Sequence, residues 1–334
     1  MTDSIAAGRA APAAPAESLT RLYARLGKLD VYDYYLGIFL ALSASLFPLG
    51  AFTVRQGLVL LLFLAGEIAV LMAMVALDDV TGFRDGSDIA NYGPDNPLRS
   101  KARKPLVAGT LTVPQALRFA WICAAAGVLL WAGAAALAPH RPLWALLAAG
   151  GLWAVSLQYS YGLKISYHGF QEVFLVALGA VLVIAPYGLV TGGFSGFLMV
   201  QAVLFGFGPL MFGVYSNTND VEGDRSVGRP TVAALVSERG NAVFIGALSA
   251  TEFLIGLVAS VTGVAPWWFT LLMLPATALR TRQYLTGFVR GDIMTARRTG
   301  FAVHRLSVVL MTIADVLAAG VLGTSALTST GAAG

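Results

Sequence analysis

Apolar positions in this chain fall in long unbroken runs rather than in stripes. Between residues 33 and 322 polar positions retreat to the breaks between apolar runs near 33–54, 57–77, 114–138, 143–161, 170–190, 194–216, 242–263, 265–279 and 303–322. About 20 apolar residues in helical form match the ~30 Å hydrocarbon layer of a bilayer, where only helices or closed barrels satisfy their own backbone polar groups. The pattern predicts an all-α polytopic membrane protein with nine transmembrane helices. The run at 265–279 is the weakest, being short and carrying Pro266 and Pro275, which kink a helix or make it re-entrant.

Outside the runs, residues 1–18 are rich in Ala and Pro and lack the apolar core of a signal peptide. Residues 1–28 read as a disordered cytoplasmic tail, 29–322 as one helical domain and 323–334 as a C-terminal tail. Composition agrees: 57% of residues are hydrophobic and 12% charged, against roughly a quarter charged in soluble domains. The net charge of +4 would in another setting suggest nucleic acid, but cytoplasmic loops of membrane proteins collect Lys and Arg, so no nucleic-acid partner is expected. Of the 22 basic residues, 20 fall on one side of the predicted spans, leaving only Arg55 and Arg141 opposite. That bias places the N-terminus and the 78–113 and 217–240 loops in the cytoplasm, in what reads as a bacterial cell membrane. The single cysteine, Cys123, excludes internal disulfides and Cys-based metal sites.

Acidic residues are just as unevenly spread. Eight of the 18 lie in two short segments: Asp78, Asp79, Asp85, Asp88 and Asp95, then Asp220, Glu222 and Asp224. Each segment follows an apolar run, the second and the sixth. This offset of four runs predicts two four-helix halves on a shared plan, plus one extra helix, around a central cavity. Asp220 and Asp224 form an i, i+4 pair whose carboxylates converge on one helical face. Asp78, Asp85 and Asp88, spaced by 7 and 3, are compatible with one helical face before Gly86 ends the turn, while Asp79 points about 100° away. Converging carboxylates need a counter-charge, and Mg²⁺ takes oxygen ligands, typically one or two carboxylates with waters and substrate phosphate oxygens. Two clusters facing each other would hold a Mg²⁺-diphosphate from both sides, with Lys or Arg neutralising the remaining charge. The plain alternative is solvated loop charge; the matched positions at the ends of apolar runs argue against it.

The segment Asn219-Asp220-Val221-Glu222-Gly223-Asp224-Arg225, continuing through Gly228-Arg229 to Thr231, resembles the second Asp-rich motif of the UbiA superfamily of intramembrane prenyltransferases. Asp78-Asp79-Val80-Thr81-Gly82-Phe83-Arg84-Asp85-Gly86-Ser87-Asp88, with Asn96-Pro97-Leu98-Arg99 and Lys104-Pro105-Leu106 downstream, resembles the first. The Gly-x-Asp ending is most similar to the branch that prenylates 1,4-dihydroxy-2-naphthoate on the way to menaquinone. The chain departs from the family pattern at Gly82, where the family carries an Asp, so that carboxylate is either missing or replaced by Asp85. Lys164 is preceded by Ser160, between Tyr159 and Tyr161, where the family often places Tyr four residues ahead of the Lys.

The resemblance implies cleavage of an isoprenyl diphosphate, with Mg²⁺ as cofactor, and capture of the allylic carbocation by a lipophilic or aromatic acceptor within membrane lipid. It makes Asp78, Asp85, Asp88, Asp220 and Asp224 the metal ligands, joined by Asp79 and Lys164 in catalysis. Lys164 and Arg229, with Lys104 and Arg225 behind them, are the candidates for phosphate oxygens. Asn217 and Asn219 orient the diphosphate or cap the helix end. Tyr159, Tyr161, Tyr167, Phe212 and Tyr215 either offer π-faces to the cation or pack at the membrane boundary. Glu67 lies 11 residues before Asp78, hence on the same side and about 16 Å deeper. It reads either as an acceptor-binding or proton-accepting group in the same cavity or as a protonated glutamate bonded to a neighbouring helix. Glu252 and Asp315 have no link to either motif. His140, His168 and His304 have no metal-ligand spacing.

Two rivals remain at this level. A UbiA-type terpene cyclase shares the ionisation step but closes the cation on its own alkene. A transporter would instead set its acidic residues along a midplane pathway at broken helices.

Overall fold

The computed structural model describes residues 17–49, 52–92 and 101–330; Asp95 and Asn96-Pro97-Leu98-Arg99 of the first motif lie outside the described residues. Among these residues every regular element is helical: α1 (Leu19–Leu26), α2 (Gly37–Leu49), α3 (Val54–Asp85), α4 (Ser87–Asn91), α5 (Val113–Leu137), α6 (Leu143–Leu157), α7 (Gln171–Thr191), α8 (Gly196–Asn219), α9 (Val221–Ser226), α10 (Val232–Leu235), α11 (Glu238–Val261), α12 (Phe269–Tyr284) and α13 (Ile293–Thr330). The starts are written into the sequence. Thr53 with Gln56, and Thr112 with Gln115, form capping boxes at α3 and α5, and Ser195 and Ser237 cap α8 and α11.

All nine expected spans coincide with helices, but among the described residues only six helices are both long and apolar enough to cross a bilayer: α3, α5, α7, α8, α11 and α13. Helices α2, α6 and α12 have 13, 15 and 16 residues, short of the ~20 that a straight crossing needs. The run predicted at 33–54 is shortened because its first turn, Tyr32–Leu36, is a 3₁₀ helix. In α12, Pro275 sits inside a continuous helix, and a π-helical turn, Leu285–Val289, follows it.

Both predicted tails are partly helical. Residues 19–26 form α1 because Leu19, Leu22 and Leu26 recur at helical spacing behind the N-cap Ser18. Leu22 and Leu26 bury into a cluster with Ala73, Leu77 and Val80 of α3, and Tyr23 stacks on Phe119 at 5.1 Å. At the other end α13 begins ten residues ahead of the predicted run at 303 and continues to Thr330.

Helix α3 packs on α5, α7 on α8, and α13 against α2, α8 and α12, closing the bundle. Without a hydrophobic drive between helices in lipid, close approach of small residues carries the association. At the α7–α8 crossing a Cβ built on Gly206 would stand 2.4 Å from the Val176 carbonyl oxygen. That neighbour is backbone and cannot step aside, so Gly206→Val is expected to cost about 1–3 kcal/mol through overpacking. Thermal unfolding in detergent should show a lowered Tm; an unchanged Tm would mean that the two helices part freely.

Buried polar networks staple the bundle elsewhere. Asp315 accepts from Ser43 (2.5 Å) and Gln201 (2.9 Å), joining α13 to α2 and α8. Arg280 donates to both Glu252 oxygens at 2.6 and 3.0 Å, joining α12 to α11. These contacts account for two of the intramembrane acids without reference to either motif.

Candidate active site

The first acidic segment lies at the end of α3, where the helix does not run on through Asp88. Gly86 adopts φ +88°, a left-handed conformation that ends the helix cheaply only at glycine. The chain re-enters helix as α4, and this turn resets the angular phase of every side chain after it. Asp88 therefore comes back toward α3, whereas Asp85 does not share its direction. Asp85 accepts from Ser87 Oγ (2.8 Å), from the Ser87 amide (3.0 Å) and from the Tyr167 hydroxyl. Asp78, Gly82 and Asp88 line a cavity, and Asp85 is not part of its lining.

The second segment spans the break between α8 and α9. Asp220 caps α8, and the Asp224 amide donates to the Asp220 carbonyl at 3.0 Å, so helical i, i+4 spacing survives the break. Both carboxylates line the same cavity as Asp78 and Asp88. Thr231 Oγ1 holds Asp224 Oδ2 at 3.0 Å. Helix α4 packs directly on α9, bringing the two breaks face to face.

Three cations face the first cluster, and one of them ties it to the second. Lys104 Nζ lies 2.7 Å from Asp79 Oδ1 and 2.8 Å from Asp88 Oδ2. Lys28, just after α1, reaches Asp79 at 3.4 Å and Asp78 at 4.0 Å. Arg229, from the second motif, approaches Asp78 of the first at 3.7 Å, donates to Ser166 Oγ at 3.2 Å and lies 5.2 Å from the Tyr167 ring centroid. Ser160 completes the set by donating to Asp78 Oδ1 at 2.6 Å. Burial works against the Lys104 ammonium, but Asp79 and Asp88 outweigh it and hold its pKa well above the usual lysine range. Burial pushes Asp88 up to about 6 despite Lys104, and pushes Asp224 up to about 6 despite Arg229 and Thr231. Both acids are thus costly to ionise without a further positive charge.

The cavity measures about 550 Å³. Polar groups lie along its two acidic walls, and aromatic rings line it further round: Tyr34, Tyr159, Phe212 and Phe301. Phe212 stacks on Phe301 with centroids 4.2 Å apart and meets Tyr34 edge-on at 6.1 Å, while Tyr159 stacks on Phe174 at 4.8 Å. Such a wall offers π-faces to a cation.

Of the residues singled out in the sequence, the structure gathers Asp78, Asp88, Asp220, Asp224, Lys104, Arg229, Asn217, Tyr159 and Phe212 around this cavity. Others point elsewhere. Asp79, 1% exposed, serves Lys104 and Lys28 from behind the wall. Lys164 is exposed in a left-handed turn at φ 52°, its ammonium 5.1 Å from the Tyr167 ring centroid. Arg225 donates to the Ala234 carbonyl at 2.9 Å, and Asn219 to Asp220 at 3.3 Å. Tyr161 meets Trp121 edge-on, and Tyr215 is fully buried against Phe288 and Gly287. Glu67 is fully buried, neither carboxylate oxygen having a partner among the described residues. It does not line the cavity, whose α3 wall consists of Asp78 and Gly82.

Sequence reading missed Lys28 and the α13 face of Arg297, Arg298, Phe301 and Arg305, all of which line the cavity. The i, i+4, i+8 spacing of Arg297, Phe301 and Arg305 was the available signal, masked by starting the last span at 303.

Among the described residues no three carboxylates converge into a ready-made metal cage. The donor set nevertheless fits Mg²⁺. It is all oxygen, split between facing walls, and suits an ion that keeps waters and shares phosphate oxygens rather than one caged by protein. Asp79 Oδ2 and Arg229 Nε are also buried without partners, leaving local bonding capacity unspent.

The family model described as the UbiA prenyltransferase family matches residues 34–299. No curated protein sequence gives a significant match. Among solved structures, one reported for digeranylgeranylglyceryl phosphate synthase has a TM-score of 0.58 at 14% identity, covering 90% of this chain and 98% of that one. A UbiA homologue from Aeropyrum pernix K1 scores 0.56 at 19% identity, covering 90% and 99%. A UbiA homologue from Archaeoglobus fulgidus, bound to DMAPP and Mg²⁺, scores 0.54 at 15% identity, covering 85% and 99%. At these identities the likeness is one of fold.

Proposed function

This chain belongs to the UbiA prenyltransferase family, and from that premise we propose that it is a Mg²⁺-dependent intramembrane prenyltransferase. Its reaction joins the prenyl group of an allylic diphosphate to an aromatic or quinone-precursor acceptor. One observation carries the reading: two acidic helix breaks, α3–α4 and α8–α9, face each other across one cavity, with Arg229 of the second beside Asp78 of the first. A homologue solved with DMAPP and Mg²⁺ supports the same ligand class.

Asp78 and Asp88 on one wall, with Asp220 and Asp224 on the other, would hold Mg²⁺, which supplies charge neutralisation to the departing diphosphate. Arg229 and Lys104 stand where phosphate oxygens need donors, and a guanidinium suits them through its paired N–H groups. The bond between the allylic carbon and the bridging oxygen breaks, and pyrophosphate leaves with the electron pair. Tyr34, Tyr159, Phe212 and Phe301 then face the cation with π-density while the apolar bundle limits access of water. The acceptor forms the new bond to the allylic carbon and loses a proton. The 20 of 22 bases on one side orient the mouth toward the cytoplasm.

Incubation of purified protein with geranyl, farnesyl and geranylgeranyl diphosphates and Mg²⁺, with and without 1,4-dihydroxy-2-naphthoate and other aromatic acids, tests the reading. A prenylated acceptor, with pyrophosphate released only when acceptor is present, supports it. A cyclic hydrocarbon formed without acceptor replaces it with a terpene cyclase.

A further inference from the structure

The loop between α6 and α7, residues 158–170, belongs to neither acidic segment, yet it touches both. Its own backbone holds it in shape: the Ile165 amide donates to the Gln158 carbonyl at 3.0 Å and the Ser166 amide to the Tyr159 carbonyl at 2.8 Å. From this frame Ser160 donates to Asp78 and lies 3.1 Å from Ser166 Oγ, which accepts from Arg229. Tyr167 comes next and joins the two segments directly. Its hydroxyl donates to Asp85 of the first, and its ring lies beneath the guanidinium of Arg229 from the second, 5.2 Å from centroid to Cζ. Tyr167 is not among the residues that line the cavity.

Arg229 needs a support that leaves its charge available. A carboxylate neutralises a guanidinium, and Asp78, which it approaches at 3.7 Å, is one of the residues that would hold Mg²⁺. An aromatic face attracts the cation through its quadrupole and uses up no carboxylate. The donors at the edge of the guanidinium then stay available, and Arg229 Nε is buried without a partner among the described residues. The ring itself has to be fixed, and Asp85 does this. The Ser87 amide and hydroxyl hold Asp85 Oδ1 at 3.0 and 2.8 Å, leaving Oδ2 to accept from Tyr167. Donation to a carboxylate also polarises the phenol toward its ring, which strengthens the pull on the cation.

We propose that Tyr167 is a positioning residue that holds Arg229 ready for phosphate oxygens, and that Asp85 acts on the reaction only through Tyr167. The proposal rests on the prenyl-diphosphate reading, in which Arg229 serves the departing diphosphate, and it gives Asp85 a task other than metal binding. Neither residue touches substrate; both act by where they keep the guanidinium.

The test is a double-mutant cycle on the full chain in detergent, reading kcat/KM for geranylgeranyl diphosphate with Mg²⁺ and acceptor, with thermal unfolding as the check on folding. Tyr167→Leu removes the ring and is expected to lower kcat/KM about tenfold. In an Arg229→Met background, where no guanidinium is left to position, the same change should cost less than about twofold. Asp85→Ala should lower kcat/KM about fivefold in the unaltered chain and less than about twofold once Tyr167 is Leu. A plain packing role would lower the Tm and act equally in both backgrounds. Equal losses in the two backgrounds, or a Tyr167→Leu chain as active as the unaltered one, would overturn the proposal. Should Tyr167→Leu not unfold cooperatively, Tyr167→Phe, which keeps the ring and loses the anchor, takes its place in the cycle, again with a loss expected only where Arg229 is present. If Arg229→Met consumes the diphosphate as fast as the unaltered chain, the role of Arg229 itself fails, and the proposal with it; if the unaltered chain consumes none, the diphosphate reading fails.

Discussion

Lys104→Met is expected to destabilise the protein by about 3–5 kcal/mol, the usual consequence of removing one partner from a buried ion pair. Lys104 is 6% exposed and touches two carboxylates at once, Asp79 and Asp88. Without it, Asp79 keeps Lys28 at 3.4 Å as its remaining cation among the described residues. The loss should appear as a lower Tm in detergent, and a compensated variant separates charge from packing. Adding Asp79→Asn and Asp88→Asn to Lys104→Met removes the stranded charges and should recover much of the Tm, because an uncharged cluster of similar volume avoids the desolvation cost. A single variant with the original Tm would mean that Asp79 and Asp88 do not depend on Lys104 for their burial.

Arg229→Met should lower the rate of diphosphate consumption by about 10²–10³-fold, the scale of removing one preorganised group from developing negative charge. Arg229 bridges from the second motif to Asp78 of the first, placed by Asp78, Ser166 and the Tyr167 ring. Arg229→Lys should rescue little, since an ammonium offers neither the planar stacking nor the paired donors. Steady-state kinetics with geranylgeranyl diphosphate would show the loss in kcat/KM. A rate like that of the unaltered protein would remove Arg229 from the site.

How much of this was readable beforehand follows from which features are local. Apolar runs of bilayer length disclosed the six long helices, and Asp220 with Asp224 could be paired because helical spacing persists through the α8–α9 break. In the first cluster Asp78 and Asp88 do share the cavity and the helix does end at Gly86, but spacing alone could not show that the turn there leaves Asp85 with Tyr167 and Ser87 instead. Lys28 was concealed differently. The Ala- and Pro-rich start disguised a short amphipathic helix whose burial depends on α3, a partner distant in sequence. The α13 arginines likewise meet the cavity only through packing of the last helix against α2 and α8.

The most direct test of the account is release of pyrophosphate from an allylic diphosphate by the purified protein in the presence of its acceptor, with Mg²⁺ or with EDTA, compared across the unaltered chain, Asp78→Asn and Asp224→Asn. The account predicts release that requires Mg²⁺ and falls on the order of 10²–10³-fold in each variant, one from each wall of the cavity. Release that persists in EDTA, or that survives loss of either carboxylate, would contradict it.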